Sequence, residues 1–241
     1  MIDLSASLLD LEPDFGAGLP AERRDAARRR LTIRTLRRPK GPWREPPDHA
    51  GIGLLIVGGA VLRQVETEPT GSAELLGPGD IVRPWDPRPH EPADPGAEWT
   101  ALSPLELAVL DASFVARLAG FPELIVDISR RLACRADWLA EAKAISQLTG
   151  VEDRLLSLFG HLAFRWGKMT RDGRLVPIPL AHSTIAALIG ARRPTVTTAL
   201  GHLAARDALV RRDDGAWLLL DSEAERPTAR HAATHAGLAA A

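Results

Sequence analysis

Residues 180–220, LAHSTIAALIGARRPTVTTALGHLAARDALVRRDDGAWLLL, admit few folds. Ile185, Leu188 and Ile189 share one face of a helix at 3.6-residue spacing, and Gly190 then breaks it. Val196, Leu200 and Leu203, four and three residues apart, give a second helix an apolar inner face. Val210 and the run Trp217 to Leu220 flank Asp213-Asp214-Gly215, a hairpin-turn pattern. Helix, tight turn, helix and hairpin in that order predict a winged helix-turn-helix, whose second helix suits a DNA major groove.

The outward face of the second helix is legible too. At about 100° per residue, Pro194, Thr198, Gly201 and Ala205 point away from the apolar face, flanked by Thr197 and His202. These side chains are short, so the backbone can approach a groove closely. Pro194 suits the first helical position. Arg192 and Arg193 stand just before it, where a guanidinium can hold guanine O6/N7 or a phosphate. Thr195, Thr197, Thr198 and Ser183 supply hydroxyl donors for phosphates or base edges. Arg211 and Arg212 open the wing beside them. The predicted DNA contacts are therefore Ser183, Arg192, Arg193, Thr195, Thr197, Thr198, His202, Arg211 and Arg212.

Bulk properties narrow the class. A chain of 241 residues supports two modest domains. Thirty Lys and Arg against 31 Asp and Glu, a net charge of −1, argue against a general nucleic-acid coat but leave room for a local reader. One cysteine, Cys134, excludes an intramolecular disulfide and a cysteine-ligated iron–sulfur cluster within the chain, and fits a reducing, cytoplasmic setting. The start MIDLSASLLDLEPD is acidic and shows no secretion leader, and no apolar run nears the roughly 20 residues that span a bilayer. No His-x-His, Gly-x-Ser-x-Gly or Walker loop occurs, and Gly51-Ile52-Gly53 opens an apolar strand rather than following one. The chain is expected to be no enzyme, with no cofactor and no metal.

Punctuation of the chain predicts its domains. Residues 1–20 read as a loosely patterned leader and 21–121 as an antiparallel β-roll. Within the roll, Arg23 to Lys40 suggests a solvated basic helix feeding a strand at Leu31–Leu36. Apolar runs at Ile52–Val57, Ala60–Val65, Ile81–Val82, Trp99–Leu102 and Leu105–Leu110 alternate with Gly, Pro and Asp. Gly77-Pro78-Gly79-Asp80 is a turn, and the proline-rich stretch Pro84 to Gly96 is a loop.

A long helix is expected over 122–148. Ile125, Ile128, Leu132, Leu139 and Ala142 form its predicted dimerisation seam, with Arg135 pairing to an acid there. Thr149-Gly150-Val151-Glu152 reads as a capping box that starts a new helix, so Thr149 and Gly150 form a hinge. The winged domain then occupies 149–225, with Gly167 ending its first helix, and a disordered tail 226–241. The fold class is α+β.

This order of roll, long helix, hinge and winged helix-turn-helix resembles the Crp/Fnr family of bacterial transcription regulators over roughly residues 25–221. The resemblance is most specific over Ile185-Ala186-Ala187-Leu188-Ile189-Gly190 with Arg193-Pro194-Thr195-Val196, and extends to Gly53–Val57 with Gly77–Asp80. It implies a cyclic-nucleotide-binding-like sensor roll, a homodimer on a two-fold symmetric double-stranded operator, contact with RNA polymerase, and an effector signal that reorients the DNA-binding domains.

Departures from the family pattern change that expectation. Cyclic-nucleotide binders of the family carry Gly-Glu-Leu/Ala and Arg-Ser/Thr-Ala segments after Gly-Asp; here Gly79-Asp80-Ile81-Val82 runs into Arg83-Pro84-Trp85. Arg83 or Arg88 would have to replace the phosphate-binding arginine, and Leu139-Ala140 stand where the long helix carries base-contacting hydroxyls. The effector is thus expected to be another small molecule, a protein, or none. A single cysteine excludes the Fnr-type cluster, and His49 and His90 read as loop histidines rather than haem ligands. Thr198 and Pro194 replace the family's second base-reading arginine and its acid, and Ala181 replaces a helix-capping Thr. Two other functions stay open: a winged-helix protein-interaction module, and a small-molecule binding protein that no longer binds an operator.

Overall fold

The computed structural model describes residues 2–44, 51–67, 70–84 and 97–220. The chain divides into two compact units at Leu139–Ala140.

The first unit is a roll of two antiparallel sheets. Its elements are β1 (Ile2–Ser7), α1 (Leu8–Leu11), α2 (Ala21–Arg30), β2 (Thr32–Arg38), β3 (Gly41–Pro42), β4 (Gly51–Gly58), β5 (Val61–Thr67), β6 (Thr70–Leu76), β7 (Ile81–Val82), β8 (Ala97–Ala101), β9 (Leu105–Asp111) and α3 (Ala112–Leu118). Most of α4 (Pro122–Ser146) follows. One sheet runs β1-β2-β9-β4-β7 and the other β3-β8-β5-β6.

The apolar runs of β4 and β9 have a physical cause. Successive strand side chains point to opposite faces. Leu54, Ile56, Leu107 and Val109 bury inside the roll with Trp43, Val61 and Leu105. Their neighbours Leu55, Ala108 and Leu110 bury on the other face, beneath Phe114, Leu118, Leu124 and Ile128 of the helices. Strands covered on both sides carry no polar alternation.

Residues 2–20 are no leader. β1 pairs with β2 from Ile2↔Leu36 to Ser7↔Thr32, and Leu8, Leu9, Phe15 and Leu19 lie in the helical layer of the core. A strand passing straight into a four-residue helix leaves too short a stretch of either period to register as pattern. β6, with its Thr-Gly-Ser-Ala-Glu start, was also not expected.

Helix α4 has two faces. Leu124 and Ile128 pack into the roll. Arg135 also turns inward, donating from Nε and Nη2 to the Glu74 carboxylate at 2.8 and 2.9 Å. Arg131 reaches Glu12 at 3.2 Å and the Gly79 carbonyl at 3.3 Å. Ile125, Val126, Leu132 and Leu139 remain 45, 66, 45 and 43% exposed. Ile128 therefore belongs to the roll core and not to the exposed stripe, and Arg135 meets its acid on the inner face. Ala142, half-buried, is also off that stripe. Ile125, Leu132 and Leu139 keep the predicted seven-residue spacing on the exposed face, but the positions between them there are Ser129 and Ala136 rather than Ile128 and Arg135.

The second unit holds the end of α4, α5 (Val151–Trp166), β10 (Lys168–Thr170), β11 (Gly173–Val176), α6 (His182–Ile189), α7 (Arg193–Ala205), β12 (Leu209–Arg211) and β13 (Trp217–Leu220). Its sheet order is β10-β11-β13-β12, so the expected hairpin is half of a four-stranded antiparallel sheet. The short polar β10–β11 hairpin carries no alternation to find. Trp217 is fully buried, 5.0 Å from Phe159 ring to ring, and Leu155, Ile185, Val196 and Leu203 of the same unit are fully buried too.

Gly167 caps α5, where a Cβ would come within 2.2 Å of the Ala163 carbonyl oxygen. The capping box at its start does not form. Gly150 takes the N-cap position, leaving Thr149 one residue outside and Glu152 free to bond elsewhere. Among the described residues no helix is long and apolar enough to cross a membrane, and no three His, Cys, Asp or Glu side chains group as a metal site. The tail predicted at 226–241 and nearly all of the proline-rich loop lie outside the described residues.

Candidate nucleic-acid interface

The geometry begins at Gly190, whose φ of 62° and ψ of 42° end α6 in the left-handed region that favours glycine. The chain turns through Ala191 into α7. Arg192 is the N-cap, Arg193 the first helical residue and Pro194 the second, one place later than expected. Proline fits there because first-turn amides have no partner inside the helix. Val196, Ala199, Leu200 and Leu203 are buried beneath. Arg193, Pro194, Thr195, Thr197, Thr198, Gly201, His202 and Ala205 are all exposed.

The remaining predicted contacts surround this face. Ser183 is exposed in the first turn of α6, whose N-cap, Ala181, supplies no side-chain bond. Arg192, Arg211 and Arg212 are exposed. The wing turns at Gly215 (φ 85°), closed by the Arg212 amide donating to the Ala216 carbonyl at 2.8 Å. Arg211 sits 5.9 Å over the Trp217 ring, and Arg212 lies 3.8 Å from Asp214.

Local chemistry modifies the expected roles. Thr197 donates its hydroxyl hydrogen to the Arg193 carbonyl at 3.0 Å, and Thr198 to the Pro194 carbonyl at 3.2 Å. Such bonds one turn back are natural for threonine in a helix. Both hydroxyls consequently face outward as acceptors rather than donors. His202 is engaged by Glu152 at 3.1 Å, and Arg206 by the other oxygen of the same carboxylate at 2.8 Å.

Three positioning contacts were not foreseen. His182 Nδ1 lies 3.0 Å from Thr197 Oγ1. Burial, then the charges of Arg211 and Arg193, hold the His182 imidazole below its ordinary pKa. Glu152 grips the far half of α7. Arg154 donates to the Leu148 carbonyl at 2.6 Å and to the Ile189 carbonyl at 3.2 Å. Each joins residues on different elements, a pairing that periodicity along one element does not encode.

Known proteins share this arrangement. The family model of the Crp-like helix-turn-helix domain matches residues 153–224. Regulatory protein CysR of Synechococcus elongatus is 29% identical over 145 residues, which are 59% of this chain and 63% of CysR, less than two thirds of that relative's length. Among solved structures, a CooA mutant from Carboxydothermus hydrogenoformans superposes with a TM-score of 0.60 at 19% identity, covering 92% of this chain and 94% of that one. A cyclic nucleotide-binding domain containing protein from Listeria monocytogenes gives 0.61 at 18% identity, with 79% and 90% covered. Residues 153–224 thus form a Crp-like helix-turn-helix domain, and the whole chain shares the fold of these solved structures.

In the first unit the roll keeps the Gly77–Asp80 turn. The Asp80 carboxylate accepts from the Gly77 amide at 2.8 Å, and Gly79 adopts φ 90°. Arg83, considered as a substitute phosphate ligand, instead donates to the Gly51 and Ile52 carbonyls at the start of β4. Arg88, His49 and His90 lie outside the described residues. Thr149 and Gly150, the expected hinge, lie between α4 and α5 in bent and extended backbone.

Proposed function

We propose that this chain is a sequence-specific, DNA-binding transcription regulator that works as a homodimer. The observation that supports the reading is the exposed face of α7: Arg193, Thr195, Thr197 and Thr198 stand clear of the core, with Arg192 before them and Arg211 alongside. Two copies joined along Ile125, Leu132 and Leu139 would present two such helices to successive major grooves about 34–36 Å apart. Arg193 and Thr195 read base edges. Arg192, Ser183, Arg211 and Arg212 hold phosphates and fix register. His202, tied to Glu152, contributes at the edge of the footprint.

The dimerisation helix is assigned to 122–148 and the reader to 149–225. The effector signal passes from the roll along α4 to the hinge at Thr149–Gly150 and shifts the balance of DNA-competent dimers. Arg83's commitment to β4 carbonyls supports an effector other than a cyclic nucleotide. The setting is the cytoplasm, and RNA polymerase is the protein partner of the operator-bound dimer.

Genome-wide footprinting of the full chain tests the reading. Protected fragments should share a two-fold symmetric sequence, and Arg193→Ala should weaken binding to it by about 1–3 kcal/mol. Fragments without a common sequence, or an Arg193→Ala variant that binds as well as the parent, would overturn it. Calorimetry with cyclic AMP and cyclic GMP should give no binding heat.

A further inference from the structure

His182, the first residue of α6, lies against Thr197 of α7 and Trp217 of the wing. Thr197 has one hydroxyl hydrogen, and it goes to the Arg193 carbonyl at 3.0 Å. With that hydrogen on the carbonyl, the same oxygen is placed to accept from His182 Nδ1, 3.0 Å away. Nδ1 carries the hydrogen, and the neutral ring presents a bare Nε2. The groups that face this ring are Arg193 and Thr197 from α7, and Arg211 and Trp217 from the wing. Both charged members are cations; burial first, then these two charges, hold the imidazole below its ordinary pKa.

A phosphate oxygen is an acceptor, and so is a bare Nε2. The two repel unless the ring gains a proton, after which Nε2–H donates a charge-assisted bond. Phosphates arriving at Arg193 and Arg211 also cancel the positive field that opposed protonation. We propose that His182 is a DNA-contacting residue of this chain that takes up one solvent proton as the operator docks, so that operator affinity rises as pH falls. The inference rests on the DNA-binding reading above and adds a residue and a proton to it.

The test uses the full chain and the duplex it enriches from a randomised pool. Fluorescence anisotropy over about pH 5.5–8 should show the dimer's Kd rising by up to about a hundredfold per pH unit, tenfold for each subunit's histidine, between the free and bound pKa values. Calorimetry in two buffers of different ionisation enthalpy should show proton uptake approaching one per bound subunit. His182→Gln should flatten the pH profile and abolish the uptake. His182→Arg, a fixed cation, should bind tightly at every pH. A parental profile that is flat, or one that survives in His182→Gln, overturns the proposal while leaving DNA binding intact. Failure to enrich any duplex at any pH would instead remove the DNA-binding reading, and this inference with it.

Discussion

Arg154 ties the segment between α4 and α5 to the turn of the helix-turn-helix: its guanidinium donates to the Leu148 carbonyl at 2.6 Å and to the Ile189 carbonyl at 3.2 Å. One side chain thus satisfies two peptide groups that helix ends leave open. It also reaches the Gly190 carbonyl at 3.4 Å. Because the last turn of α6 sets the direction in which α7 leaves, motion at Leu148 and the aim of α7 are mechanically joined. Arg154→Ala should lower stability by about 1–3 kcal/mol. It should also speed amide exchange at Ala191, whose N–H bonds the Ala186 carbonyl at 2.9 Å. Unchanged exchange there would show that the strut carries nothing.

In the roll, Glu74 is shared by two arginines. Arg135 holds it with two bonds, and Arg63 approaches at 3.4 Å from β5. All three side chains are largely withdrawn from solvent. Burial disfavours the Arg135 cation, but the Glu74 bonds and charge outweigh it and raise the guanidinium pKa. Removing one partner strands the other, so Arg135→Leu should destabilise the roll by about 3 kcal/mol. Arg135→Leu with Glu74→Leu should recover much of that loss, since no unpaired charge then stays between them. Additive losses in the double variant, read by denaturant unfolding, would contradict the coupling.

The two faces of α4 predict opposite phenotypes. Leu132→Asp, on the exposed stripe, should leave each subunit folded and shift the particle to a monomer by sedimentation. Ile128→Ala, in the roll core, should cost about 2–5 kcal/mol of stability without changing the oligomer. Should Leu132→Asp stay dimeric, another surface holds the copies together.

Legibility in the sequence followed how locally each feature is encoded. The strands β4 and β9 were visible because both faces are buried, which makes an apolar run bounded by turns. The inward and outward residues of α7 were assigned correctly because thirteen residues sample the helical period well. β6 and β1 were not seen, since one is polar along much of its length and the other is fused to a single helical turn. Ile128 misled because helical faces blur at the boundary: it lies only about 60° from Ile125, and a heptad drawn one step off still collects apolar residues. The Ser/Thr-x-x-Glu spacing at Thr149 was present, yet Glu152 found His202 and Arg206 instead. Competition of that kind is decided by tertiary structure.

Asp111 offers a pH-resolved check on the join between roll and helices. It is the N-cap of α3, accepting from the Phe114 amide at 2.9 Å and the Ser113 hydroxyl at 2.6 Å. Burial pushes its carboxyl up, but those two bonds, with Arg34 and Arg117 nearby, together hold it below the ordinary carboxylate value. Because the folded pKa is the lower one, the group stabilises fully above its unfolded pKa. That contribution drains away as pH falls through the unfolded value towards the folded one. Asp111→Ala should therefore cost about 1 kcal/mol near neutrality and progressively less in acid. Asp111→Ser keeps a capping oxygen without a titrating charge, so its difference from Asp111→Ala should not vary with pH. Chemical unfolding of the three chains at neutral and acid pH makes the comparison. A gap between parent and Asp111→Ala that stays constant into acid would mean that the carboxylate charge contributes nothing to the cap.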